Sequence, residues 1–549
     1  LRAAIMEANA LVGDQSIALP AGTYELTLAG RDEHYSLTGD LNITDTTGSL
    51  TIIGAGAAQT TIDAAHLDHV IQISNGSLLD VYGVTVTGGE SGSVHGAGLY
   101  LVDANVRLID SAIRNNTATS GGGGGLAAVG GSVVEIISSR VVNNQAQKNG
   151  GGLLFGSEVQ AALMNSEVSH NESENLGGGI YNWGNLTQDA TNVHHNTAKK
   201  GGGFSTVNSA SITRSRIHHN TAHLDGGGGV FSRRTISAGE YDLGLFSLDS
   251  TAIYGNVAGR GGGGISVTGN AVITNSTIAQ NRAGDSGAGL WANLDAETHL
   301  SGNTITENSA SNYGGGLLRT NDASLYLVNN LVSNNSASTN PDISGTVTSQ
   351  GNNLVGNIGV ELEAGYHDSD LTGTSATPLD AYLTDTGTTH PIYQPSRHSL
   401  AIDAGNNWHS SLLDVAGHTR IAKLGEAFAS DHVLAEHSIT KDAPSRTDVY
   451  PVDLDQNGEI DLISSTTAIA ANTPTLTWHK NLGNGDFTSI GITANVPFDS
   501  VFAADIDLDG DIDILPAPHE NNTNLAWYRN SGTQDFTAQT IAARPTGTR

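Results

Sequence analysis

The sequence predicts an all-β chain whose larger part is a parallel β-helix, and three observations lead there. First, the stretch "IRNNTATSGGGGGL", residues 113 to 126, recurs, its asparagines falling at Asn116, Asn144, Asn171, Asn196, Asn220, Asn256, Asn281, Asn308 and Asn335. Second, successive asparagines are 28, 27, 25, 24, 36, 25, 27 and 27 residues apart. Third, the segments between glycine runs are short and β-branched, as in "GSVVEIISSRVV" and "NAVITNSTI". A period of about 26 residues is too short for a helix pair or a propeller blade, and it suits one coil of two or three short strands stacked on the next.

Within a rung each residue type has a reason to be there. The Ile or Val of "AIRNN", "VVNNQ", "VSHNE", "IHHNT" and "ITENS" points into the core. The Asn three positions later sits at a corner, where its amide bonds to the next Asn up the stack as an internal ladder. The glycines serve a second corner, where positive φ or close approach of coils excludes a side chain. They are not a phosphate loop, because no Lys-Ser/Thr follows them. The 36-residue interval is a rung carrying the excursion "SRRTISAGEYDLGLFSLDS", residues 232 to 250.

Composition narrows the function. The chain has 549 residues, 69 glycines, no cysteine and a formal net charge of −31. Such a length suggests two or more domains. The charge argues against nucleic acid or an anionic membrane face as partner and favours bound cations. Without cysteine there are neither disulfide staples nor thiolate metal sites. No apolar run is long enough to span a bilayer. The chain opens on "LRAAIMEANA" with neither Met nor signal peptide, which reads as a mature or truncated product.

The pairing of "I-x-x-N-x-A" with "GGG-[LIV]" resembles the repeats of polymorphic outer-membrane proteins and related bacterial surface β-helices, with Ile or Val in place of the family's Phe. The start, "LRAAIMEANALVGDQSIALPAGTYELT", resembles the N-terminal cap and first rung of pectin-lyase-like β-helices. The segment "LTDTGTTHPIYQPSRHSLAIDAGNN" followed by "DVAGHTR" is similar to the closing part of choice-of-anchor Q proteins. The resemblance covers residues 1 to 421 and implies a right-handed parallel β-helix with an N-terminal capping helix in a secreted protein. It implies little about activity.

After Arg420 the glycine runs stop. Two copies of another unit appear in residues 422 to 549: "DVYPVDLDQNGEIDLISS" and "SVFAADIDLDGDIDILPA", followed by "LTWHKNLGNGDFTS" and "LAWYRNSGTQDFTA". Alternate carboxylates in a tight, Gly-containing turn bring several hard oxygens to one point, which suits Ca²⁺. The units resemble FG-GAP/VCBS repeats, each one blade of a β-propeller. That resemblance implies side-chain ligands Asp453, Asp455, Asn457 and Asp461 in one loop and Asp505, Asp507, Asp509 and Asp513 in the other, with Glu459 and Asp511 offering backbone carbonyls. With "ASDHVLAEHSIT" as a half, about two and a half blades are expected, a partial propeller completed by further sequence or by a neighbouring molecule.

Pectin-lyase-like helices carry enzymes and non-enzymes alike. The nearest catalytic constellation is a histidine column, His170, His195 and His219, each preceding a ladder Asn on consecutive rungs. His194 and His218 precede two of these, and Lys199, Lys200, Arg214 and Arg216 lie close in sequence. The column is read as an outward polar corner, like Asn115 and Asn143 at the equivalent position, or as a metal patch, or as a catalytic one with Lys200. For a glycoside hydrolase two carboxylates must flank one groove, and Glu135, Glu158, Glu167 and Asp189 fall at different rung positions. Tyr181, Trp183 and Trp291 follow the glycine corner and suggest a sugar-stacking strip. The expected function is an extracellular stalk or adhesive spacer with calcium-stabilised blades. Its partners are a polysaccharide or protein surface, or copies of itself. The alternative is a polysaccharide lyase or glycoside hydrolase.

Overall fold

The computed structural model describes residues 1–358 with short breaks at 32–34, 93–94, 225, 234, 238–239 and 243, then 365–385 less 382, and 393–395. It resumes over 448–543, less 458–460, 468–473, 483–486, 495, 508, 520–523 and 533–534. The chain divides into two compact units, Leu1–Ile421 and Ala422–Arg549.

The described part of the first unit is a parallel β-solenoid of four sheets, with 13, 12, 14 and 9 strands. Each strand pairs in register with its equivalent on the next rung. One row runs Ile113, Val141, Val168, Val193, Ile217, Ile253, Ile278, Ile305 and Val332. Every member is at most 1% exposed. Because strand side chains alternate with period two, fixing this row inside puts the residues on either side of it outside. Rows from the three longer sheets fill one continuous apolar core.

The asparagine ladder is present. From Asn116 to Asn308, each Nδ2 donates to the Oδ1 of the next Asn at 2.9–3.0 Å, and each backbone N–H donates to that same oxygen. The amide also reaches a carbonyl of the rung below, as Asn220 Nδ2 does to Val193 O at 2.9 Å. A wholly buried amide is tolerable here because both ends are satisfied. Gly203 shows why the facing corner needs glycine: a Cβ there would lie 2.8 Å from both Asn220 Nδ2 and Gly229 O.

A second ladder, which the sequence pattern did not suggest, stands at another corner. The N–H of Ser111 donates to Ser139 Oγ, and that of Ser139 to Ser166 Oγ. Higher up, Thr191 donates to Ser215, Thr251 to Ser276, Ser276 to Asn303 and Asn303 to Asn330.

Both ladders end on an aspartate. Asn335 N–H and Nδ2 donate to Asp342 Oδ1 at 3.0 and 2.8 Å, and Asn353 does the same to Asp370 Oδ1 at 2.9 and 3.0 Å. Burial pushes the Asp342 carboxyl up to about 6 from 3.8, against the hydrogen bonds from Asn335 and Asn357 that lower it. A raised folded-state pKa favours the protonated form, so this contribution is complete below about pH 4 and lost as pH rises through 6. Asp342→Asn continues the ladder without charge. It is expected to raise stability at pH 8 by about 2–3 kcal/mol and to change it little at pH 4. Melting curves at the two pH values check this; an Asn variant no more stable at pH 8 contradicts it.

The open end of the core is covered by the helix Arg2–Ala8, whose Ile5 is wholly buried. The Arg2 guanidinium fastens that helix by donating to the carbonyls of Ser36, Thr38, Gly39 and Asp40 at 2.6–3.2 Å. The long rung carries an antiparallel hairpin, Thr235–Ser237 with Glu240–Asp242, and rejoins the solenoid at Leu245–Asp249. The "AIDAG" segment and the expected half blade at "ASDHVLAEHSIT" lie outside the described residues.

The described part of the second unit forms two four-stranded antiparallel sheets, their strands adjacent in chain order. One comprises Asp448–Val452, Asp461–Ser465, Pro474–Asn481 and Phe487–Ala494. The other comprises Phe498–Ala504, Asp513–Pro518, Asn524–Asn530 and Phe536–Ala543. Their shared core includes Trp478, Leu476, Ile463 and Ile514, all wholly buried.

Candidate functional site

In each sheet of the second unit, the turn between first and second strand gathers carboxylates. Oxygens of Asp453, Asp455 and Asp461 lie within 4.8 Å of one another, as do those of Asp505, Asp507 and Asp513. The last member of each trio opens the second strand and is held by the backbone around it. Asp461 accepts from Asn481 N–H at 2.7 Å, Trp478 Nε1 at 2.8 Å and Leu454 N–H at 3.2 Å. Asp513 accepts from Asn530 N–H at 2.8 Å and Ile506 N–H at 2.9 Å. Burial raises the pKa of both carboxyls, and the neighbouring aspartates add to the rise. A bound cation would relieve that cost.

Asp455 Oδ1 and Asp505 Oδ1 are buried without a hydrogen-bond partner. An orphaned anionic oxygen facing two further carboxylates fits a cation, and the trios can hold a divalent ion. The other expected ligands divide. Asp509 does not join its trio; it pairs with Arg529 Nη2 at 2.8 Å and accepts from Asp511 N–H at 3.1 Å. Asn457 shares the first turn, its N–H donating to Asp453 Oδ1 at 3.0 Å. Glu459 lies outside the described residues.

On the solenoid, His170, His195 and His219 all have left-handed φ, 54°, 53° and 52°, as do Asn115 and Asn143 at 54° and 57°. That residue turns the chain at the corner and leaves its side chain outside. His170 and His195 stack with centroids 5.0 Å apart, and His195 and His219 at 5.3 Å. A parallel column on the adjoining strands stacks His194 on His218 at 4.9 Å and His218 on Tyr254 at 4.6 Å. The columns touch through their ring nitrogens: His194 Nδ1 lies 2.8 Å from His195 Nδ1, and His218 Nδ1 lies 2.9 Å from His219 Nδ1. Burial, then the neighbouring imidazoles, pushes His218 down to about 3. Burial also lowers His194 and His195.

Lys200 does not join this patch; it lies further along the rung with Nζ 5.6 Å from the Phe231 ring centroid. Arg214 pairs with Asp189 across rungs, and Arg140 with Glu167 at 2.9 Å. Arg140, Glu167 and Arg214 line a shallow groove of about 400 Å³ with Asn192 and Arg216. Glu135 and Glu167 stand on different sheets, so they form no flanking pair. The aromatic strip is corrected too: Tyr181 is 7% exposed and packs with Leu154, Leu176 and Phe231. Trp183 is exposed, and Trp291 is half-buried with Nε1 donating to Thr320 at 2.8 Å.

No family model matches the chain, and no curated protein matches it. Among solved structures, the chain is similar to the pectate lyase Pel9A at 14% identity and a TM-score of 0.30, over 70% of this chain and 81% of that one. A likeness this distant carries no argument about activity.

Two groups escaped the sequence reading. Lys480 Nζ lies 2.5 Å from Asp455 Oδ2, and Arg529 Nε lies 2.6 Å from Asp507 Oδ2. Both stand two residues after the Trp of "LTWHKN" and "LAWYRN", a shared position that was their signal. The other group is Asp40, Asp68 and His69, each at most 4% exposed. His69 Nδ1 is 3.0 Å from Asp68 Oδ1, and its ring stacks on Tyr100. It lies in non-repeating turns and left no pattern.

Proposed function

We propose that the chain is a secreted or cell-surface bacterial protein in which the β-helix is a rigid stalk or adhesive spacer and the C-terminal sheets are propeller-type blades held by calcium. Its partners are an extracellular polysaccharide or protein surface, or further copies of itself. The observation that carries the stalk reading is the pair of side-chain ladders, the asparagine one unbroken from Asn116 to Asp342 and the second one in two runs. They bind each rung to the next independently of the strands, and stiffness along the axis is their mechanical consequence. Calcium is favoured over softer ions because the orphaned groups in the loops are carboxylate oxygens alone.

One observation favours a polysaccharide lyase instead. Arg216 is exposed beside His218 and Tyr254, and among the described residues no carboxylate pairs with it. It is thus a cation available to neutralise a uronate next to candidate bases. Incubation with a panel of uronate polymers, followed by absorbance of unsaturated product, separates the readings. The stalk reading expects no product. Steady turnover that disappears in the double variant His218→Ser and Tyr254→Phe, with an unchanged melting curve, would replace it with the lyase.

A further inference from the structure

We propose that the side-by-side imidazoles His194/His195 and His218/His219 form a surface site for a divalent transition-metal ion of the copper or nickel class.

The tautomers point that way. His194 Nε2 lies 3.3 Å from Glu167 Oε1, and His218 Nε2 lies 2.8 Å from Asn192 Oδ1. Both oxygens only accept, so each Nε2 carries the proton and each Nδ1 presents its lone pair towards the neighbouring histidine. A second-sphere oxygen that fixes the remote N–H and frees the other nitrogen is the usual support of a ligating imidazole.

The spacing selects the ion. Two nitrogens 2.8 or 2.9 Å apart, each about 2.0–2.1 Å from a shared ion, subtend about 84–93° at it. That is the cis angle of square-planar or tetragonal Cu²⁺ and Ni²⁺, and it falls short of the tetrahedral angle that structural Zn²⁺ takes. A small tilt of the two rings turns both lone pairs onto one ion, with water completing the shell. Only two side-chain nitrogens converge on each rung, so the site is open and exchangeable. The carboxylate trios of the second unit, with hard oxygens alone, would not compete for a borderline ion.

The two pairs are stacked, their rings 4.9 and 5.3 Å apart. Two dications about 5 Å apart repel even at the dielectric constant of water, so the second ion binds on the order of a hundredfold more weakly than the first. Glu167 lies beside the lower pair and offsets the ion's charge. Arg216 lies beside the upper pair and opposes it, which places the tighter ion between His194 and His195.

The test uses the full chain with calcium in excess, titrated with Cu²⁺ and followed by electron paramagnetic resonance. The expected result is a tetragonal Cu²⁺ spectrum with nitrogen superhyperfine splitting. A half-field signal from two coupled ions should appear as the second pair fills. The variant His194→Ser, His195→Asn, His218→Ser, His219→Asn borrows the residue types of Ser169, Asn115 and Asn143 at the matching positions of other rungs. It should keep the metal-free melting curve and lose both signals. Should it not fold, the milder His195→Asn, His219→Asn variant still must lose the paired-nitrogen pattern. A parent spectrum without nitrogen splitting, or one retained in the variants, would show that the imidazoles are hydrogen-bonded pairs only.

Discussion

Ile217→Asp is expected to unfold the central rungs of the solenoid. Ile217 is wholly buried between Val193 and Ile253 of the adjoining rungs. The substitution removes side-chain packing worth about 2–5 kcal/mol and places a carboxylate where the row around it is aliphatic, at a further cost of several kcal/mol. The sum reaches the stability of an ordinary domain. Because each rung rests only on its neighbours, the damage spreads along the stack. The neighbouring residue supplies the control: Arg216 is exposed on the same strand, and Arg216→Asp should cost less than about 1 kcal/mol. Limited proteolysis and thermal melting of the two variants measure the difference. An Ile217→Asp protein that melts like the parent overturns the register.

That register was legible because Ile217 and its equivalents recur with the corner asparagine three positions later, and a period that constant has few physical causes. The hydroxyl ladder was not legible. Its positions accept Ser, Thr or Asn indifferently, since all that is asked of the side chain is one oxygen for a backbone N–H. Asp342 was hidden for a different reason: it closes the asparagine ladder only seven residues after Asn335, where the period would place the next member a full rung later. Tyr181 misled because a place just after the glycine corner was equated with exposure, although large side chains, Leu154, Leu176 and Phe231, enclose it. The aspartates of the second unit were readable from spacing within one turn. Lys480 and Arg529 reach those turns from the third strand of each sheet, and their shared place two residues after the Trp was the one signal of that contact.

Removing calcium is expected to loosen the second unit and leave the solenoid unchanged. Each trio brings three carboxylates together, one of them, Asp461 or Asp513, raised in pKa by burial, and Lys480 or Arg529 neutralises only part of that charge. An ion bound to the folded form alone adds about 2.7 kcal/mol when present at 100 times its dissociation constant. With two loops in one core the loss on chelation is cumulative. Asp461 and Asp513 are poor choices for substitution, since they also accept backbone hydrogen bonds and would weaken the sheets with or without an ion. Asp455 and Asp507 lie in the turn itself. Asp455→Ala with Asp507→Ala should therefore reproduce the chelated state in the presence of calcium, as faster proteolysis after about residue 448 with the solenoid fragment intact.

The most direct measurement is calorimetric titration of Ca²⁺ into the full chain beside the Asp455→Ala, Asp507→Ala variant, with digestion patterns recorded in calcium and in chelator. Heat from two sites is expected in the parent and none in the variant, with chelator sensitivity confined to the second unit. No calcium heat in the parent, together with an identical digestion pattern in chelator, would contradict the assignment of calcium to the two loops.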